Sequence, residues 1–346
     1  MGVPKDPGAS LRKLFRITPY VLFLAAVTAG QVSSQTRTHV VIVVGLGGTT
    51  EFRESFHSEA AQIYTALVED HGIPEEDVVY LGERVDVSPD MISDRSTRDN
   101  LMRVLGEISQ RSGPTDRVLV ILIGHGTDEN GTAQFNVPGP DVTPADFELS
   151  MVAFPTQSLA LVHTGSASGG FVGPLSAPNR IVIAATRTQL ERNATEFGQF
   201  FAEAVSGEGA DLDHDERISL LEAYVYARQE VERHYQEQNE ILTEHAVLDD
   251  NGDGEGNYEA SLDGPDGLFA ATFTLGGSEG EAAQTTEDAV LAQLYEDRDE
   301  IQGRIDALRI IRDSLSEDAY LDRMEPLLVE LALKTREIRT RGGGGA

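Results

Sequence analysis

The feature that most constrains this 346-residue chain is a series of continuously apolar runs of strand length, among them VVIVV, RVLVILI and IVIAA. They fall at His39–Gly45, Asp77–Leu81, Arg117–Gly124, Ser158–His163 and Arg180–Ala185. A strand with one wet face alternates apolar and polar residues, so an unbroken apolar run marks a strand covered on both faces. Helical patterns lie between them at Glu54–His71, Thr97–Gln110, Phe197–Val205 and Ser219–Glu237. Ser96 offers a cap for the second helix, which Ser112-Gly113-Pro114 ends. Alternating β and α units predict an α/β fold with an open, mostly parallel sheet and helices on both faces.

GLFAATFTLG, Gly267–Gly276, has the apolar content of one last strand. The main domain is therefore expected over residues 35–277, with a polar linker at 278–285. Beyond it, Leu294, Arg298, Ile301, Ile305, Leu308, Arg312 and Leu315 follow alternating three- and four-residue steps, and Tyr320, Met324, Leu327, Leu331 and Ile338 continue an apolar face. That spacing predicts a helical hairpin or short coiled coil over 286–341, able to dock or self-associate, followed by a disordered tail at 342–346. The two seam arginines and Pro326 argue against one long coiled coil.

The formal charge is −31, a field that excludes nucleic acid and anionic membranes as partners and suits bound cations. No cysteine is present, which excludes disulfides, thiolate metal sites and a cysteine nucleophile. Residues 1–34 have signal-peptide grammar: a basic flank at 11–16, a short apolar core from Ile17 to Ala29, and small residues after it. The chain is expected to be exported, to a periplasm or the cell exterior; an uncleaved membrane anchor is the other reading, though the core is short for a span.

The strongest chemical signal is RVLVILIGHGTDENG, where a buried strand runs directly into Gly124-His125-Gly126. The carboxyl end of such a strand is where open α/β sheets place their sites. The next strand gives SLALVHTGSASGGF. The order strand, GHG, strand, x-S-G-G-F resembles the caspase-fold cysteine peptidases, with the bacterial legumain-like branch nearest. HVVIVVGLGGTTEFRESFHSEAAQIYTALVEDHGIPEEDVVYL, IVIAATRTQLERNATEFGQFFAEAV and ILTEHAVLDDNGDGEG carry the resemblance over about residues 39–275. It implies a caspase-like sheet, His125 as the catalytic base, Ser166 where the nucleophilic Cys stands, backbone N–H groups at Gly126 and Ser166 as oxyanion donors, and Arg53 as the pocket arginine for an acidic or amide side chain.

The departure from the family is Ser166 itself, with Gly165 and Thr164 before it in place of the usual residues. A cysteine beside a His can ionise near neutrality, whereas a serine hydroxyl needs a base held in one tautomer by an orienting group. Asp128, Glu129 and His163 stand near in sequence, but none belongs to the family pattern. Three readings follow: an inactive pseudopeptidase that keeps a cleft for a peptide or protein ligand, an active endopeptidase using Ser166 and His125 to cut after Asn or Asp, and a scaffold acting through its helical tail.

A second constellation is DLDHDERISLLE. Asp211, Asp213, Asp215, Arg217 (through its carbonyl), Ser219 and Glu222 take positions 1, 3, 5, 7, 9 and 12 of an EF-hand loop, with Ile218 at position 8. Glu216 stands where a glycine is expected, and an acidic loop leading into a helix is the alternative. Asp249, Asn251 and Asp253 repeat the first three positions, but Ala260 at position 12 leaves no bidentate ligand. The cofactor these spacings imply is Ca2+.

Overall fold

A computed structural model of the chain describes residues 1–2, 36–212, 217–276, 288–310 and 316–342. It divides into two units, Met1–Ser34 and Gln35–Ala346. All but the first two residues of the segment 1–34 expected to direct export, the linker at 278–285, nearly all of the tail and the loop positions Asp213 and Asp215 lie outside the described residues.

Seven strands form one sheet: β1 (Thr38–Val44), β2 (Val78–Gly82), β3 (Ile92–Arg95), β4 (Arg117–Ile123), β7 (Ser158–His163), β8 (Arg180–Ala184) and β9 (Val247–Asp249). The order is β3-β2-β1-β4-β7-β8-β9, parallel throughout except for β9. β5 (Gly126–Glu129) and β6 (Thr132–Phe135) form a separate antiparallel hairpin directly after β4. The continuous apolar runs have the cause inferred from them. Val40, Ile42 and Val44 of β1 face one core, with helices α1 (Thr50–Thr65), α5 (Phe197–Ser206) and α6 (Leu220–Gln238). Val41 and Val43 face a second core, with α2 (Arg98–Arg111), α3 (Pro144–Met151) and α4 (Val172–Leu175).

Two local expectations are corrected. The cap of α2 is Thr97, whose Oγ1 accepts from Asn100 N at 3.3 Å; Ser96 is fully buried one residue earlier. Gly267–Gly276 is not a strand but opens with the short helix α7 (Leu268–Thr272). Gly267 has φ 121, which extended pairing does not use, and Asp250 reaches across to accept from Gly267 N at 2.9 Å and Ala270 N at 2.8 Å. An acidic side chain thus satisfies the free N–H groups of a helix start. The apolar content that suggested a strand instead drops Ala270, Phe273 and Leu275 into the first core.

The C-terminal helices α8 (Ala289–Ile310) and α9 (Glu317–Gly342) pack on each other through Ile301, Ile305, Leu308, Met324 and Leu327. Lys334 to Asp297 and Arg341 to Asp288 tie them at 2.8 and 2.7 Å. The seam residue Arg298 is buried and lies over the Tyr295 ring at 5.1 Å, and α9 runs through Pro326. No helix among the described residues is long and apolar enough to cross a membrane.

At the amino ends of β1, β2 and β4 sits a buried charge cluster. His39 Nδ1 is 2.9 Å from Asp77 Oδ1 and Nε2 is 3.4 Å from Asp116 Oδ2, with His39 and Asp77 each 1% exposed. Arg37 also binds Asp77 at 2.6 Å. Removing one member of a buried charged set strands the others. His39→Leu is expected to lower unfolding free energy by about 3 kcal/mol in urea titrations; a loss under about 0.5 kcal/mol would show that the imidazole is not what holds the two carboxylates in place.

Candidate functional site

Three adjacent central strands, β1, β4 and β7, deliver their carboxyl ends to one crevice. β4 ends in Gly124-His125-Gly126, β7 in Thr164-Gly165-Ser166, and β1 in the loop 45–49 before α1. The two turns after β4 and β7 touch backbone to backbone. A Cβ at Gly165 would meet Gly124 O at 1.8 Å, and one at Gly126 would meet Ser166 O at 2.1 Å. Only glycine permits this approach.

That contact fixes the serine. Ser166 is 3% exposed, and its Oγ donates to Gly126 O at 3.0 Å while accepting from Gly126 N at 3.2 Å. The hydroxyl proton and one lone pair are thus committed to a single neighbouring residue. The Gly126 N–H, one of the two expected oxyanion donors, is the same group that binds the hydroxyl. Ala167, next in the chain, is held at φ 57 with its N–H donating to Glu191 O at 2.8 Å. Ser168 is an anchor of the turn: its Oγ accepts from Thr186 N at 3.0 Å and lies 3.1 Å from Thr186 Oγ1.

His125 is half-buried, with its ring edge-on to Phe52 at 4.5 Å and Phe56 at 5.0 Å. Burial lowers its pKa, opposed by a hydrogen bond to the Gly47 backbone, so the imidazole is neutral at pH 7. Gly47 supplies the orienting contact that the sequence left unidentified. Asp128 does not: its Oδ1 accepts from Gly131 N at 3.2 Å and from Arg192 at 3.4 Å. Glu129 accepts from Gln134.

Arg53 belongs to the same assembly. Its Nε donates to Glu83 Oε1 at 3.2 Å and its Nη2 to Gly48 O at 3.1 Å, while Glu83 Oε2 accepts from Gly47 N at 3.1 Å. The guanidinium expected to meet a substrate is therefore already paired, and the pair clamps the loop that touches His125. His163, 0% exposed between Phe135 and Phe171, is pushed down to about 3 by burial. Its Nδ1 accepts from Gly165 N at 3.2 Å, so the neutral ring carries its proton on Nε2 and holds the Ser166 turn.

Beside Thr164, Glu59 is pushed up to about 7, first by burial and then by Glu196, against a hydrogen bond from Ser55. Glu244 is likewise about 7, burial outweighing the N–H groups of Glu196 and Phe197 that it accepts at 2.8 and 3.2 Å.

Of the first calcium loop, Ser219 caps α6 and Glu222 completes a capping box. Glu222 Oε2 accepts from Ser219 N at 2.9 Å and Oγ at 2.8 Å, and Oε1 accepts from Leu212 N at 3.0 Å. Ser219, position 9, pairs with Thr274 in a short antiparallel β-bridge, with Ile218 O accepting from Leu275 N at 2.7 Å and Leu220 N donating to Phe273 O at 2.9 Å. In the second loop, Asp249 accepts from Gly252 N and Gly254 N, and Asn251 and Asp253 bond each other. Among the described residues no group of three or more His, Cys, Asp or Glu is arranged to hold a metal ion.

Among solved structures, the chain is similar to the Drosophila initiator caspase Dronc, with 12% identity and a TM-score of 0.41 over 78% of this chain and 97% of that one. No family model and no curated protein matches it.

Two outcomes are expected. Ser166→Ala removes two backbone-directed hydrogen bonds and leaves the Gly126 groups unpaired, at a cost of about 1–3 kcal/mol in chemical denaturation; an unchanged midpoint would mean the hydroxyl is not a fixture of the turn. For Glu59 the folded pKa lies above the unfolded value near 4.5, so folding is penalised progressively as pH rises from 4.5 to 7. Glu59→Gln should therefore raise Tm at pH 8 and leave it unchanged at pH 4.5. A pH-independent shift would contradict the assignment.

Proposed function

We propose that the chain is an exported peptide-binding domain of the caspase and legumain type in which hydrolytic chemistry is silent. The observation that carries this reading is the double hydrogen bond between Ser166 Oγ and Gly126. A nucleophilic serine must give its proton to a base and attack while two N–H groups receive the oxyanion. Here the proton points to a carbonyl, one N–H is occupied by the would-be nucleophile, and His125 is turned toward phenylalanine rings and Gly47. The crevice, its aromatic wall and its glycine-lined turns remain available to an extended peptide.

The test is an assay of the full chain on Asn- and Asp-containing peptides, comparing wild type, Ser166→Cys and His125→Ala. Silence of the wild type with measurable peptide binding is expected. Cleavage by wild type that His125→Ala abolishes would establish instead a serine endopeptidase using Ser166 and His125.

We also propose that the loop Asp211–Glu222 binds calcium, a reading supported by the Ser219 cap and Glu222 capping box that open the helix after it and by the Ser219–Thr274 bridge. Glu222 would exchange its bond from Leu212 N for the cation. A Tm increase with calcium over chelator, lost in Glu222→Gln, is expected; equal melts would leave an acidic helix start and no calcium site.

A further inference from the structure

Helix α9 carries two rows at heptad spacing, and α8 covers only one of them. Met324, Leu327 and Leu331 form the inner row, packed against Ile301, Ile305 and Leu308 of α8. The second row is Asp322, Pro326, Val329, Leu333 and Arg336, at steps of four, three, four and three residues, the spacing that keeps side chains on one face of a helix. Each of its first four members stands two residues from a position of the inner seam, a turn of about 200° around the axis, so the rows lie on opposite faces. All five members are exposed, Val329 at 55% and Leu333 at 44%.

The ends of this outer row carry opposite charge. Asp322 lies seven residues before Val329 and Arg336 seven after it, each about 10 Å away along the axis. Neither side chain has an ion pair among the described residues. Other charges of α9 are used within the hairpin: Glu330 pairs with Arg304, Lys334 with Asp297 and Arg341 with Asp288. Glu325, also exposed, adds to the acidic end of the row.

A row whose charges mirror each other about an apolar centre is complementary to itself. Laid antiparallel on a second copy, with Val329 on the twofold axis, each Asp322 comes opposite an Arg336, and Leu333 of one helix reaches the Pro326 region of the other. A parallel pairing would set acid on acid and base on base. A twofold interface uses the same patch on both copies, and this symmetry of charge is what it requires; an unrelated partner would need no such mirror. Two hairpins joined in this way make four helices, with each α9 covered on both of its faces.

We infer that the outer face of α9 is an antiparallel homodimer interface, centred on Val329 and closed at either end by Asp322 of one copy against Arg336 of the other. It stands apart from the peptide-binding reading, since no residue of the row belongs to the crevice.

Sedimentation equilibrium of the full chain over a concentration series tests it. Wild type should follow a monomer–dimer equilibrium. Asp322→Arg and Arg336→Asp each make both end pairs repulsive and should weaken dimerisation at least about tenfold. Mixing the two single variants should restore the dimer, because one chain then carries both bases and the other both acids. The double variant Asp322→Arg/Arg336→Asp should restore it within one chain. That rescue separates the interface from the fold, since two misfolded chains would not repair each other. A wild type that stays monomeric, single variants that dimerise as wild type does, or single variants that neither mixing nor the double exchange rescues would each overturn the inference and leave the peptide-binding reading standing.

Discussion

The contact between the turns after β4 and β7 governs the site. Because Gly165 and Gly126 carry no Cβ, the backbones approach until Ser166 sits against both peptide groups of Gly126. In such a place a side-chain hydroxyl is solvated by the backbone instead of by water or an imidazole, and the oxyanion donor that chemistry would need is used to hold it. A second chain of contacts, Arg53 to Glu83 to Gly47 to His125, fixes the imidazole from the other side. The polar groups at these strand ends are bonded to each other.

Around this crevice, charge is distributed unevenly. The His39, Asp77 and Asp116 cluster lies at the other, amino ends of the strands and joins β1, β2 and β4 through buried polar contacts. Asp250 serves as a helix cap, and Asp249 closes its own loop. Those acids are structural.

Much of this was legible in the sequence, for physical reasons that differ by element. The five continuous apolar runs announced the central strands because burial on both faces leaves an unbroken signature, and Ser158–His163 coincides with β7 to the residue. Strands β3, β5, β6 and β9 carried no such signature, being three or four residues long and partly polar. Gly267–Gly276 read as a strand because its composition is apolar, and only the distant Asp250 makes it begin as a helix. His125 and Ser166 were visible as residues at adjacent strand ends. That Ser166 binds Gly126, that Gly47 meets His125 and that Arg53 is paired with Glu83 depend on contacts between turns far apart in the chain, which local spacing does not encode.

The central claim is that Ser166 and His125, though brought to one crevice, are not joined as nucleophile and base. The most direct measurement is a pH titration of the His125 ring by nitrogen-15 NMR in wild type and Ser166→Ala. A ring neutral at pH 7, titrating below 6.5 with the same tautomer and midpoint in both proteins, is the predicted result. A midpoint or tautomer that changes when the hydroxyl is removed would show that the two side chains share a proton, and the account of a silent site would fail.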